Sequence, residues 1–195
     1  MFGPSGEIPQ FDNINNMGKD IGLAPRAAAE LFKGLEERKA SFDVTVQASM
    51  FELYNDNIRD LIACSNGNPE QNLRIKLAKH SESGLVEVDG ALYENVEDAI
   101  ELLDIFRKAA TSRSTASTKM NADSSRSHSI STMVTKLVNK RTGQITSGKV
   151  TLVDLAGSER VSKRYGINNF VFQTNWPYHS HNTMNPICTI LTCKS

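Results

Sequence analysis

Cysteine is scarce in this chain: Cys64, Cys188 and Cys193 are the only three among 195 residues. An odd number at these spacings matches no disulfide framework and suits a reducing compartment, so an intracellular protein is expected. Charge of one sign is also missing. Lys plus Arg and Asp plus Glu stand at 22 each, so nothing global pulls the chain toward nucleic acid or a membrane, and a polyanionic partner would have to meet a local patch. Long apolar runs are absent too. Nothing approaches the roughly 20 residues that a bilayer span needs, and the opening MFGPSGEIPQ has neither the basic nor the apolar region of a signal peptide. What is present is the balance of a globular domain or part of one, 39% hydrophobic and 23% charged.

The apolar pattern changes period along the chain. Pro25 to Arg38 sets Ala28, Leu31, Phe32 and Leu35 on one face and predicts a helix. Phe42 to Met50 alternates apolar residues with Asp43, Thr45, Gln47 and Ser49, the period of a half-buried strand. A short helical turn is expected at Ile58 to Ile62, a polar loop at Ser65 to Gln71, and two or three short strands between Leu73 and Val96, with turns at Ser83-Gly84 and Asp89-Gly90. Glu97 to Ala110 gathers Ala99, Leu102, Leu103, Phe106 and Ala110 into one stripe and predicts a second helix. The polar stretch Thr111 to Ser127 has no period. Ser129 to Val138 and Ile145 to Leu155 predict a hairpin with Gly143 in its turn. The apolar run Val150 to Val153, stopped by Asp154, reads as a buried central strand with an acid at its carboxyl end. Beyond Lys163 neither period survives.

Two segments carry chemistry. In Asn121-Ala122-Asp123-Ser124-Ser125-Arg126-Ser127-His128, adjacent hydroxyls can ligate Mg²⁺ or hold a terminal phosphate. The arginine beside them can pair with an acid or with charge developing in phosphoryl transfer. In Asp154-Leu155-Ala156-Gly157-Ser158-Glu159, the acid can hold a metal through water, and Gly157 lets a backbone N–H approach a phosphate unobstructed. Each alone is equally an ordinary polar loop or turn.

Together, NADSSRSHSI followed after a hairpin by VDLAGSER resembles switch I and switch II of the kinesin motor domain. The resemblance extends through GLAPRAAAELF, SMFELYNDNIRDLI, SGLVEVDGALYENV and STKMN, covers Met1 to Lys163, and is nearest in flavour to the C-terminal-motor kinesins, including the plant calmodulin-binding type. It implies that Asn121, Ser124, Ser125, Asp154 and Gly157 face ATP. Ser124, and Asp154 through water, would serve Mg²⁺, and Ser125, Arg126 and Glu159 would be catalytic. Arg126 and Glu159 would form a salt bridge that closes the two switches when triphosphate is bound. Arg74, Lys76 and Lys79 would lie near the surface that meets acidic tubulin. The implied partner is the microtubule, with no nucleic acid and no membrane, and the implied place is the cytoplasmic cytoskeleton.

One element is missing from the pattern. A phosphate loop needs G-x-x-x-x-G-K followed by Ser or Thr between a strand and a helix. Gly143 to Lys149 has the glycines and the lysine, but Val150 cannot ligate Mg²⁺, and the segment leads into a strand rather than a helix amino terminus. In the family that loop lies immediately before a segment like MFGP. The expected fold is therefore α/β: an incomplete kinesin-type P-loop NTPase core over residues 1–163, a central mostly β sheet flanked by helices. It lacks the P-loop and the elements after switch II, has an open sheet edge, and is followed by an unrelated disordered tail over 164–195. The expected function is a kinesin-like microtubule motor hydrolysing ATP in its full-length form, with this chain inactive alone. The rival readings are a non-hydrolysing microtubule-associated or regulatory protein and the product of a truncated gene model.

Overall fold

The computed structural model describes residues 1–2, 21–69, 71, 73–77, 86–120, 127–156 and 187–193. Helix α1 (Leu23–Glu36) opens the regular structure. Its predicted stripe faces inward: Ala28 and Leu35 are buried, and Leu31 and Phe32 pack half-buried against the core. Met1 and Phe2 lie across its start, where Gly22 and Ala24 donate to the Phe2 and Met1 carbonyls. The approach is so close that a Cβ on Gly22 would sit 2.2 Å from the Phe2 carbonyl carbon, and only glycine fits.

Strand β1 (Phe42–Tyr54) is longer than its alternating part. Its last four residues pair with β2 (Asn57–Asp60) through a two-residue turn, Asn55-Asp56, both at positive φ. This tight hairpin is of the kind whose twist matches its strands. The helical turn expected at Ile58 to Ile62 is thus two elements, the end of β2 and helix α2 (Leu61–Ser65), divided at Asp60. The reason is capping: Asp60 Oδ1 accepts the Ala63 N–H at 2.9 Å, so the helix begins after the acid.

Strands β3 (Arg74–Leu77) and β4 (Val86–Asp89) form a separate antiparallel ribbon, and β5 (Glu94–Val96) joins the main sheet against Val46–Ala48 of β1. The turn at Asp89-Gly90 is present, with Gly90 at φ 81°; Ser83-Gly84 falls outside the described residues. Helix α3 (Ala99–Met120) begins on the predicted stripe, with Leu102, Leu103, Phe106 and Ala109 buried. It then continues ten residues beyond the expected end. Thr111 to Met120 has no apolar stripe, but a helix once nucleated adds turns cheaply, and Arg113 ties this part to the sheet.

Strands β6 (His128–Asn139) and β7 (Ile145–Asp154) form the predicted hairpin, with Gly143 at φ 70° in its turn. The main sheet runs β2-β1-β6-β7-β8, where β8 (Ile187–Cys193) lies parallel to β7 from Gly148 to Asp154. Within the segment from Arg164, the described part, Ile187–Cys193, is a strand: its short β-rich run ICTILTC pairs along the free side of β7. One expectation is corrected here: β7, though an inner strand, is not buried throughout. Leu152 alone is buried, because the described helices cover only one face of the sheet, the one carrying Val46, Ala48, Met50, Met133 and Leu152.

Candidate functional site

Antiparallel pairing puts the start of β6 and the end of β7 at the same end of the sheet. Ser129 stands directly opposite Asp154, and paired residues share a face, so both lie on the helix-covered side. Asp154 is half-buried, while the next residue, Leu155, is 40% exposed. The two motif segments therefore leave the sheet from neighbouring strands at one point.

Around this point the described residues form a polar network. Ser127, 3% exposed, donates from its hydroxyl to Glu52 Oε1 of β1 at 2.7 Å. Arg113 of α3 donates Nε to the same carboxylate oxygen at 3.1 Å and Nη2 to both the carbonyl and the hydroxyl of Ser127, at 3.0 and 2.9 Å. Arg59 of β2 stands 4.0 Å from the other Glu52 oxygen. Across the end of β6, His128 Nδ1 accepts the Ala156 N–H at 2.9 Å, which places that ring's proton on Nε2. Sequence reasoning marked Ser127 and His128 only as parts of a motif and passed over Glu52, Arg59 and Arg113. Single charges in strand and helix carry no sequence signal of being partnered.

Ser129 and Ser131, both buried on the face of Asp154, have hydroxyls with no hydrogen-bond partner among the described residues. Polar groups left unpaired in a core are costly, and each calls for a reason. Ser129 stands opposite Asp154 and Ser131 opposite Leu152, two places earlier in β7. Mg²⁺ characteristically keeps waters and takes only one or two protein carboxylates, and among the described residues no group of three or more His, Cys, Asp or Glu could hold a metal by itself. Asp154 fits the single-carboxylate arrangement. Asn121, Ser124, Ser125, Arg126, Gly157 and Glu159 lie outside the described residues.

The remaining candidates are placed as follows. Arg74 and Lys76 are exposed on β3, and Lys76 is engaged in an ion pair with Asp89 of β4. That contact holds the Asp89 carboxyl below the usual aspartate range, chiefly through the hydrogen bond from Lys76. Lys79 lies outside the described residues. The near-match to a phosphate loop is part of a hairpin: residues Ile145 to Val150 run as β-strand from a turn at the opposite end of β7 from Asp154. Among the described residues no helix is long and apolar enough to cross a membrane.

Comparison with known proteins bears on the family and the fold. Residues 12–173 match the kinesin motor domain family. The chain is 39% identical over 162 residues to kinesin-like protein KIN-14I of Oryza sativa subsp. japonica, covering 83% of this chain and 13% of that protein. It is 38% identical over 143 residues to the kinesin heavy chain of Neurospora crassa, covering 73% of this chain and 14% of the other. With carboxy-terminal kinesin 2 of Xenopus laevis it shares 33% identity over 193 residues, 97% of this chain and 30% of the relative. Among solved structures, one described as a fast kinesin superposes with a TM-score of 0.67 at 34% identity, over 85% of this chain and 42% of that one. The C-terminal motor and motor homology domain of Kar3Vik1 gives 0.58 at 31% identity, over 73% and 35%. The chain thus spans less than half the length of each of these proteins. On the family match and these identities, the chain belongs to the kinesin motor domain family.

Proposed function

We propose that this chain is the switch-bearing part of a microtubule motor that hydrolyses ATP with Mg²⁺ in its full-length form. One observation carries the reading: β6 and β7 deliver the two motif segments to a single point, with Asp154 at the place where they part. Bound ATP with Mg²⁺ would supply the scissile phosphoryl group and the cation that offsets its charge. Within this chain, Asp154 would orient a water on the metal, Ser124 would ligate the metal, and Asn121, Ser125 and Gly157 would line the phosphate side. Arg126 and Glu159 would pair to draw the segments together around the attacking water. Arg74, Lys76 and Lys79 would present positive charge to acidic tubulin, a contact weakened by salt because the described two are exposed.

The residues that hold the α and β phosphates in this family are not among the motifs of these 195 residues, so the chain alone is expected to turn over no ATP. The experiment compares the purified chain with a longer product of the same gene that carries a G-x-x-x-x-G-K-[ST] segment. Both are assayed for ATP turnover and cosedimentation with and without microtubules. Stimulated turnover by the longer product alone supports the motor. Cosedimentation without turnover in both would favour a non-hydrolysing microtubule-associated protein. Stimulated turnover by the 195-residue chain that Ser125→Ala abolishes would overturn the expectation of inactivity.

A further inference from the structure

Extending the β6–β7 register by two residues past Ser129 and Asp154 would set Ser127 opposite Ala156. Their backbone groups are instead engaged by side chains. The Ser127 carbonyl accepts from Arg113, and the Ala156 N–H donates to His128. The ladder therefore ends at a fork held by two side chains: Arg113 ties Ser127 to β1, and His128 ties Ala156 to the start of β6. The Arg113 tie is well built. Its guanidinium spans Glu52 and Ser127, the three groups form a closed triangle of hydrogen bonds, and the Arg113 and Glu52 side chains are only 17% and 14% exposed. The planar fork of arginine makes such a double engagement, which a lysine ammonium cannot reproduce.

We propose that Arg113 and His128 are positioning residues for the nucleotide response, Arg113 fixing Ser127 against β1 and His128 fixing Ala156 against the start of β6, so that each motif segment starts from a fixed point on the sheet. This rests on the reading under Proposed function, and it adds residues outside the Arg126–Glu159 pair. A ladder bond between two strands can be given up only by unzipping the sheet. A side-chain tie can be released and remade singly, so Ser127 and Ala156 can shift while the β6–β7 ladder stays intact. His128 is the more diagnostic of the two, because its Nδ1 touches the segment after β7 while its own backbone belongs to β6.

The test uses the full-length protein with His128→Leu, His128→Asn and Arg113→Lys. Asparagine keeps an acceptor oxygen near the position of Nδ1; leucine removes it. Amide exchange is read at Ala156 and across β1 and β6, alongside kcat and KM for ATP in microtubule-stimulated turnover. In His128→Leu, exchange at Ala156 rises about tenfold while β1 and the middle of β6 keep their protection. Its kcat falls about tenfold with KM within about threefold, as expected when geometry rather than binding is lost. His128→Asn restores both to within about threefold of the wild type, and Arg113→Lys loosens Ser127 without doing so for β1. Unchanged exchange at Ala156 in His128→Leu, an Asn variant no better than Leu, or a uniform rise over β1 and β6 each overturns the proposal. If the wild-type protein turns over no ATP, the motor reading falls and the exchange measurements alone decide the fork. If His128→Leu does not fold, exchange at Ser127 in Arg113→Lys decides it.

Discussion

Asp60 offers the sharpest test of how the sheet is fastened to its helices. Its side chain is 7% exposed and accepts two backbone N–H groups, Ala63 at 2.9 Å through Oδ1 and Leu92 at 2.7 Å through Oδ2. One carboxylate therefore caps α2 and holds the segment leading into β5. In Asp60→Ala, loss of the cap costs about 1 kcal/mol. Leaving the part-buried Leu92 N–H without its acceptor costs about 1–3 kcal/mol more. The sum, about 2–4 kcal/mol, lowers a urea midpoint by about 1–2 M at an m-value of about 2 kcal/mol/M. Asp60→Asn separates the contributions: its oxygen can still cap α2, but its amide then faces the Leu92 N–H as donor to donor, so it loses about 1–3 kcal/mol. Urea unfolding followed by circular dichroism gives the totals, and amide exchange at Ala63 and Leu92 apportions them. An Asn variant as stable as the wild type, or an Ala variant within about 0.5 kcal/mol of it, would refute the two-sided role.

Two further expectations concern β7 and α3. A Cβ on Gly148 would lie 2.8 Å from Thr135 Oγ1, which donates to the Gly148 carbonyl at 3.3 Å. Gly148→Ala should therefore destabilise the wild type by about 1 kcal/mol, yet stabilise a Thr135→Ala background by about 0.5 kcal/mol, because a strand favours alanine over glycine once the clash is gone; a double-mutant cycle from thermal unfolding reads the sign change. On α3, the hydrogen bond from Arg107 holds the Asp104 carboxyl below the usual aspartate range. A lowered folded-state value means stability that is full above the unfolded value and lost as pH falls through the folded one. The pair is over a third exposed, so the loss on acidification below about pH 4 is only about 0.3–0.5 kcal/mol. In Asp104→Asn, or at 1 M salt, that part of the acid dependence should vanish from the pH profile of the unfolding midpoint.

The elements with a clean apolar period are legible in the sequence. Ala28 and Leu35 turn inward on α1, Leu102 and Phe106 on α3, and the β6–β7 hairpin closes at Gly143 as its turn signal requires. Elements fixed by polar contacts are not. The second half of α3 is Ser- and Thr-rich and poor in intrinsic helix formers, and its tie to the sheet, Arg113 with Glu52, joins residues 61 positions apart. The boundary between β2 and α2 is hidden although Asp60 before an apolar run is a cap signal, because Ile58, Leu61 and Ile62 sit at helical spacing across it. The site divides in the same way. Asp154 at a strand end is legible from the apolar run before it, whereas the roles of Ser127, His128 and Glu52 depend on a strand register that no local pattern encodes.

The length of α3 bears on how the fork can behave. At 1.5 Å per residue its 22 residues form a rod about 33 Å long. The first half is clamped in the core by Leu102, Leu103, Phe106 and Ala109, and the second half carries Arg113 to Ser127. Such a rod cannot follow a small displacement of Ser127 by bending at one residue, and a close-packed core does not yield gradually. When the start of β6 is pulled, either the guanidinium lets go or the whole helix shifts against the sheet. The response is then a threshold: up to the pull that one arginine can hold, the rod moves as a whole and the far end near Ala99 feels it, and beyond that pull the guanidinium releases and the helix stays where it is.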